Sequence, residues 1–246
     1  MPVFFIERGA IQGATASLTG PLARHLKGSL RIQPGEHVWL AEAGGPRYEV
    51  RITTADRDRL TGQVLSEVPP PPPHLPRITV GFALIKGDGM EWAIQKATEL
   101  GAARLVPLIT ARTIVRPKAP RTGHQAQRWQ SIALEAAQQS MRWEVPAVTE
   151  PASFAAWCAE SASTACRLIL WEKPGGLSLR DRLHGKPRPD SVTLAIGPEG
   201  GFEPGEIELA EHAGFEAVSL GARILRSESA VLATLSIVQY EWGDLG

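Results

Sequence analysis

Five consecutive prolines at residues 69–73, followed by His74-Leu75-Pro76, constrain this chain more than any other feature. Proline fixes its own φ, lacks an N–H and pushes the residue before it out of the helical region. A run of five is therefore stiff and extended, at about 3.1 Å per residue, and continues neither a helix nor a central strand. It marks residues 69–76 as a linker between residues 1–68 and residues 77–246.

The two segments carry different patterns. In the first, short strand-like runs at 3–6, 37–41, 48–53 and 60–67 are separated by turn signals at Pro34-Gly35 and Ala43-Gly44-Gly45-Pro46. Several short strands in so few residues predict a small β-barrel. In the second, strands are expected at 77–84, 104–108, 167–171, 191–196 and 216–220. Helices are expected between them, at 125–140, 151–162, 206–213 and 229–242, and from Asp88 to Gly101. Asp88 and Glu91 have capping-box spacing, Met90, Ile94, Ala97 and Leu100 share a face, and Gly101 is a stop signal. Such alternation predicts a parallel sheet with helices on both faces.

Composition narrows the function classes. Apolar residues are 43 % and charged residues 21 %, a globular balance. No apolar run approaches the roughly 18 residues of a membrane helix, and residues 1–10 lack a secretory pattern. Two cysteines, Cys158 and Cys166, exclude a disulfide framework or a Cys-rich zinc module and suit a reducing cytoplasm. The six histidines show no metal-ligand spacing, so no metal is expected.

The 26 basic and 26 acidic residues cancel, but unevenly. Residues 69–150 hold 10 basic and 6 acidic side chains, and residues 151–246 hold 8 and 13. From Arg104 to Arg142 there are seven bases and one acid, Glu135. Arginine supplies 20 of the 26 bases, and its fork suits phosphate. The competing reading is a solvated, ion-paired face.

Two expected strand ends are unusual. One is Ile196-Gly197-Pro198-Glu199-Gly200-Gly201-Phe202, and the other runs from Leu220-Gly221-Ala222-Arg223-Ile224-Leu225-Arg226 into Ser227-Glu228-Ser229-Ala230. Glycines let backbone approach a ligand closely, and open α/β sheets bind ligands at their carboxyl ends. Neither loop is a P-loop, a dinucleotide fingerprint or an esterase elbow.

Together these two loops resemble the C-terminal signature of the 16S rRNA (uracil-1498)-N3 methyltransferases, the ribosomal RNA small subunit methyltransferase E family of the SPOUT class. The block from Lys86-Gly87-Asp88-Gly89-Met90-Glu91-Trp92 to Gly101 is similar to the first SPOUT helix. Arg128-Trp129-Gln130 with Glu135-Ala136-Ala137-Gln138-Gln139-Ser140 is similar to the second. His25-Leu26, Leu30-Arg31 and Pro34-Gly35 resemble the N-terminal domain. Departures fall at Ala111, Met141 and Ala222. The resemblance implies a PUA-like β-barrel RNA-binding domain at 1–68 and a SPOUT α/β-knot at 77–246. In the latter, helices flank a parallel sheet and the C-terminal segment threads a trefoil knot. It also implies a homodimer, S-adenosyl-L-methionine as cofactor, and N3 of one uridine in the 16S rRNA of the 30S subunit as target.

Carried over onto this sequence, Ile196, Gly197, Pro198, Glu199, Gly200, Gly201, Leu220, Gly221, Ile224, Leu225 and Ser229 are the cofactor-binding candidates. Arg226 and Glu228 are the catalytic candidates, the first for the developing uracil oxyanion and the second for the N3 proton. Glu199 is the other possible base. The competing reading has Glu228 capping the last helix with Arg226 paired to it. Arg24, Lys27, Arg31, Arg112, Arg116, Arg128 and Arg142 are the RNA-contact candidates. Trp129 and Ile132, at helical spacing, suit a core or an interface better than base stacking. Two alternatives stay open: a SPOUT enzyme methylating ribose 2′-oxygen, and a silent RNA-binding assembly factor on the same scaffold.

Overall fold

The computed structural model describes residues 3–56, 58–115, 122–172 and 176–245. The chain forms two compact units, one of residues 1–72 with 137–145, the other of residues 73–136 with 146–246. The division after Pro72 falls inside the proline run. Residues 137–145, which the sequence pattern gave to the second segment, belong to the first unit.

The first unit is a six-stranded sheet built from β1 (Val3–Ile6), β2 (Ile11–Gln12), β3 (Thr15–Thr19), β4 (His37–Glu42), β5 (Arg47–Ala55) and β6 (Arg59–Val68). Its order is β1-β4-β5-β6-β3-β2, with only the β1–β4 pair parallel. Alternate residues such as Val38, Leu40, Val50 and Ile52 turn inward onto one core. A helix not anticipated from the sequence, α1 (Gly20–Gly28), starts with proline in its first turn and adds Ala23 and Leu26 to that core.

Arg47, at the start of β5, is buried. It donates through Nη2 to the Met141 carbonyl and stacks 3.7 Å over the Trp143 ring, while Gly44 N–H donates to Trp143 O at 3.1 Å. A buried cation and a backbone hydrogen bond thus tie residues 137–145 to β5 and the turn before it. Arg47→Ala should lower that unit's stability by about 2–4 kcal/mol, because a charge-assisted hydrogen bond and a desolvated cation–π contact vanish together. Denaturant melts followed by exchange of the β4 and β5 amides check this. Trp143→Ala removes the stacking alone and should cost roughly half as much.

The second unit carries a seven-stranded, fully parallel sheet. Its strands are β7 (Arg77–Ala83), β8 (Arg104–Ile109), β9 (Ala147–Val148), β10 (Ala152–Ser153), β11 (Cys166–Leu170), β12 (Ser191–Ile196) and β13 (Glu216–Val218). The order is β10-β8-β7-β12-β11-β13, and β9 pairs with β8 off that path. The helices are α2 (Gly89–Glu99), α3 (Thr122–Gln139), α4 (Phe154–Glu160), α5 (Leu179–Leu183), α6 (Pro204–His212) and α7 (Ser227–Trp242). Successive strand residues point to opposite faces, and both faces are buried. Leu105, Leu168 and Leu194 join a core with residues of α2, α3, α5 and α7. Val106, Ile169 and Ala195 join another with residues of α4 and α6. Trp129 is buried in the first of these cores.

Three local expectations change. Asp88 precedes α2 without a side-chain cap bond, and Glu91 instead pairs with Arg128 at 2.7 Å, so the capping box does not form. The helix expected at 151–162 begins only at Phe154, because Ala152–Ser153 pairs with β8 and Ser153 caps by accepting Ala156 N–H. The last helix starts at Ser227, two residues earlier than its apolar pattern, with Arg226 as N-cap. Gly101 does stop α2, at φ +87°, and its lack of a Cβ admits Gln239 from α7, which donates to Leu100 O at 2.8 Å.

Candidate functional site

β11, β12 and β13 are adjacent and parallel, so Leu170, Ile196 and Val218 end at one edge of the sheet. A cleft of about 280 Å³ opens there. These three residues line it, together with residues 197–202, Trp171, Glu172, Ser219, Leu220, Arg223, Ile224, Leu225, Ser227, Ala230 and Arg112. The carboxyl edge of a parallel sheet is where ligands of open α/β folds bind.

The glycine-rich loop after β12 is shaped by contacts that need glycine. Gly197 is buried, and a Cβ there would lie 3.1 Å from the Phe202 ring. Gly201 takes φ +69° and donates to Pro198 O at 2.8 Å, closing a tight turn. Phe202 anchors the end of the loop against Phe154, ring centres 4.9 Å apart. At the other wall, buried Ser227 Oγ donates to Gly197 O at 2.8 Å and ties the start of α7 to the loop.

The turn after β8 meets the same loop. Thr110 and Thr113 form a buried hydroxyl pair at 2.8 Å. Between them Arg112 Nη1 donates to Gly200 O at 2.7 Å, and Ala111 N–H donates to Glu206 Oε1 at 2.8 Å. Glu206 Oε2 accepts Glu203 N–H at 2.9 Å at the head of α6.

Nine of the cofactor candidates, Ile196 to Gly201 with Leu220, Ile224 and Leu225, line the cleft; Gly221 and Ser229 lie in the adjoining segment without lining it. Ile224 is 80 % exposed on the rim. Arg226 and Glu228 flank the cleft at the start of α7. Among the described residues neither has an ion-pair partner, so the alternative in which they pair with each other is not formed. Arg223 and Glu199 likewise lack one. Leu170, Trp171 and Glu172 were missed from the sequence, although the strand-end rule that selected residues 196–202 applies equally to them.

The basic candidates are divided between the two units. Arg24, Lys27, Arg31 and Arg142 belong to the first unit, with Arg24 facing Asp58 at 3.5 Å and Arg31 at φ +55°. Arg112 and Arg128 belong to the second, engaged with Gly200 and Glu91 respectively. Arg116 lies outside the described residues. Burial, with a smaller push from the Glu206 charge, raises the Cys158 thiol to about 12, and burial also raises Cys166. Neither is a thiolate nucleophile at neutral pH. Among the described residues no group of His, Cys, Asp or Glu could hold a metal ion, and no helix is long and apolar enough to cross a membrane.

Known proteins share this arrangement. Residues 72–239 match the RNA methyltransferase domain family. A ribosomal RNA small subunit methyltransferase E of Synechocystis is 34 % identical over 91 % of this chain and 72 % of its own. That of Bacillus subtilis is 31 % identical over 98 % and 97 %. The crystal structure of the Neisseria gonorrhoeae protein of that name, bound to S-adenosyl methionine, superposes with a TM-score of 0.89 at 32 % identity, covering 100 % of both chains.

Proposed function

The chain belongs to the ribosomal RNA small subunit methyltransferase E family, and on that premise we propose that it methylates N3 of one uridine, U1498, in the 16S rRNA of the 30S subunit. The coarser activity, S-adenosylmethionine-dependent methylation of small-subunit ribosomal RNA, comes with membership. The observation that carries the reading is the glycine-walled cleft at the carboxyl ends of β11, β12 and β13.

The residues present fit the cofactor. Leu170, Ile196, Leu220, Ile224 and Leu225 offer apolar surface for an adenine, and the backbone of residues 197–201 offers hydrogen-bonding groups unscreened by side chains. Glu172, Glu199 and Arg223 bring both signs of charge for an amino-acid moiety. When bound, S-adenosylmethionine supplies an electrophilic methyl group. Uracil N3 carries a proton at neutral pH, so the chain must accept that proton and stabilise the anion. Glu228 takes the N3 proton, and Arg226 donates to O2 or O4 as negative charge develops there. The base must first leave its stack, which costs a few kcal/mol.

In the same reading residues 1–68 act as a PUA-like barrel, and Arg24, Lys27, Arg31 and Arg142 contact phosphate, with Arg116 and Arg128 from the methyltransferase domain at 77–246. That domain is a trefoil-knotted α/β fold that works as a homodimer in the cytoplasm. The dimer is supported by α7, where Leu232, Ala233 and Ile237 are half-covered and Tyr240 is 67 % exposed.

The test is transfer of labelled methyl to 30S subunits lacking the modification, with the product digested to nucleosides. We expect 3-methyluridine. A 2′-O-methylated nucleoside would move the chain to the ribose-methylating reading. Cofactor binding without transfer, on both 30S subunits and naked 16S RNA, would remove the substrate assignment.

A further inference from the structure

We propose that Arg112 and Glu206 are positioning residues that hold the glycine-rich loop in its cofactor-binding shape, with Arg112 acting on that loop and not on RNA phosphate. The proposal rests on reading residues 197–202 as part of the cofactor site.

Three glycines in seven residues make this loop costly to order, since glycine loses the most backbone freedom on folding. Among the described residues its internal backbone bond is Gly201 N–H to Pro198 O, which leaves the exposed middle of the loop without a backbone tether. The tether comes from the turn after β8, and it is reciprocal. Arg112 reaches from that turn to the Gly200 carbonyl at 2.7 Å, and Glu206 reaches back from α6 to Ala111 N–H at 2.8 Å. The second Glu206 oxygen holds Glu203 N–H at 2.9 Å, which fixes where the loop enters α6. The Arg112 guanidinium also lies 3.7 Å from the Glu203 carboxylate. The turn itself is a firm base, because the Thr110–Thr113 hydroxyl pair and the Thr113 Oγ1 bond to Thr110 N–H, at 2.9 Å, are buried. A cation in a basic stretch therefore has its strongest bond to a carbonyl of the cofactor loop.

The experiment uses the full chain. Arg112→Ala, Arg112→Lys, Glu206→Ala and the Arg112→Ala/Glu206→Ala pair are compared in three ways: cofactor Kd by calorimetry, methyl-transfer KM and kcat, and salt dependence of binding to 16S RNA. Each alanine variant should weaken cofactor Kd and KM about 10-fold while kcat at saturating cofactor stays within about 2-fold. Arg112→Lys, which keeps a cationic donor but loses the guanidinium fork, should recover part of the loss. The double variant should fall within about 2-fold of the weaker single, because both side chains hold one loop. The salt slope of RNA binding should match the parent. Unchanged cofactor affinity in Arg112→Ala with a parental melting profile overturns the proposal. So does a salt slope reduced by about 1, the signature of a lost phosphate contact. If Glu206→Ala does not fold, the two Arg112 variants decide alone. A parent chain that binds no cofactor overturns the cofactor reading, and this proposal with it.

Discussion

Glu228→Gln should lower turnover by about 10²–10⁴-fold, the range for a lost general base, while cofactor affinity stays near the parent's. That loss is about 2.7–5.4 kcal/mol in activation free energy. The alternative role for Glu228 is structural, as a carboxylate in the first turn of α7, and it is worth only about 0.3–1 kcal/mol. The two roles thus differ in size as well as kind. Glutamine keeps the shape and can still accept a hydrogen bond, so a melting midpoint within a few degrees of the parent, beside a turnover loss of 100-fold or more, separates chemistry from capping. With no ion pair holding Glu228 among the described residues, its removal orphans no buried cation. Full turnover in Glu228→Gln with cofactor bound would take Glu228 out of the mechanism and make Glu199, at the cleft, the next residue to test.

The α/β arrangement of the second unit was legible because parallel strands buried on both faces read as short continuous apolar runs, and Ser191–Ile196 was found to the residue. Glycine marked one wall of the cleft because a Cβ at Gly197 would crowd the Phe202 ring and Gly201 takes φ +69°. What stayed hidden depends on partners distant in sequence. Glu91 has the right spacing to cap α2 but meets Arg128, and the cap it would have made is absent. Arg112 counts as a free base in a charge census, yet its acceptor, Gly200 O, lies 88 positions away. Helix α1 is only nine residues long, too short to stand out beside the strand-like runs around it; packing of Leu22, Ala23 and Leu26 on the first core makes it. Residues 137–145 begin with the last residues of α3, and the burial of Arg47 against Met141 and Trp143, with the Gly44 N–H bond to Trp143 O, shows where they belong.

Gly81→Val should unfold the second unit or leave it more than about 4 kcal/mol less stable, against a total stability on the order of 5–15 kcal/mol. Gly81 sits in β7 between Ala195 of β12 and Val106 of β8, in the middle of the sheet. A Cβ there would lie 2.4, 2.6 and 2.8 Å from three atoms of the Trp157 ring. That ring cannot yield. It is 1 % exposed and packed 5.6 Å from Phe215 and 6.3 Å from Phe154, on a helix whose end is pinned by Ser161 Oγ donating to Trp157 O at 2.8 Å. Relief must come from moving β7 or α4, and β7 pairs Phe82 with Ile196, the residue that leads into the glycine-rich loop. Overpacking at Gly81 therefore reaches the cleft, and cofactor affinity should fall even in the milder Gly81→Ala, whose stability cost is about 1–3 kcal/mol. Trp157→Leu would create a cavity alone, yet in the Gly81→Ala background it supplies the space the new methyl needs. A double-mutant cycle by denaturant melting should give a favourable coupling above about 1 kcal/mol. Gly205→Ala is the control: the site is open and not at positive φ, so the same change should be neutral or stabilising by up to about 1 kcal/mol. Equal costs at Gly81 and Gly205 would mean that the Trp157 ring does not set the tolerance of the central strand.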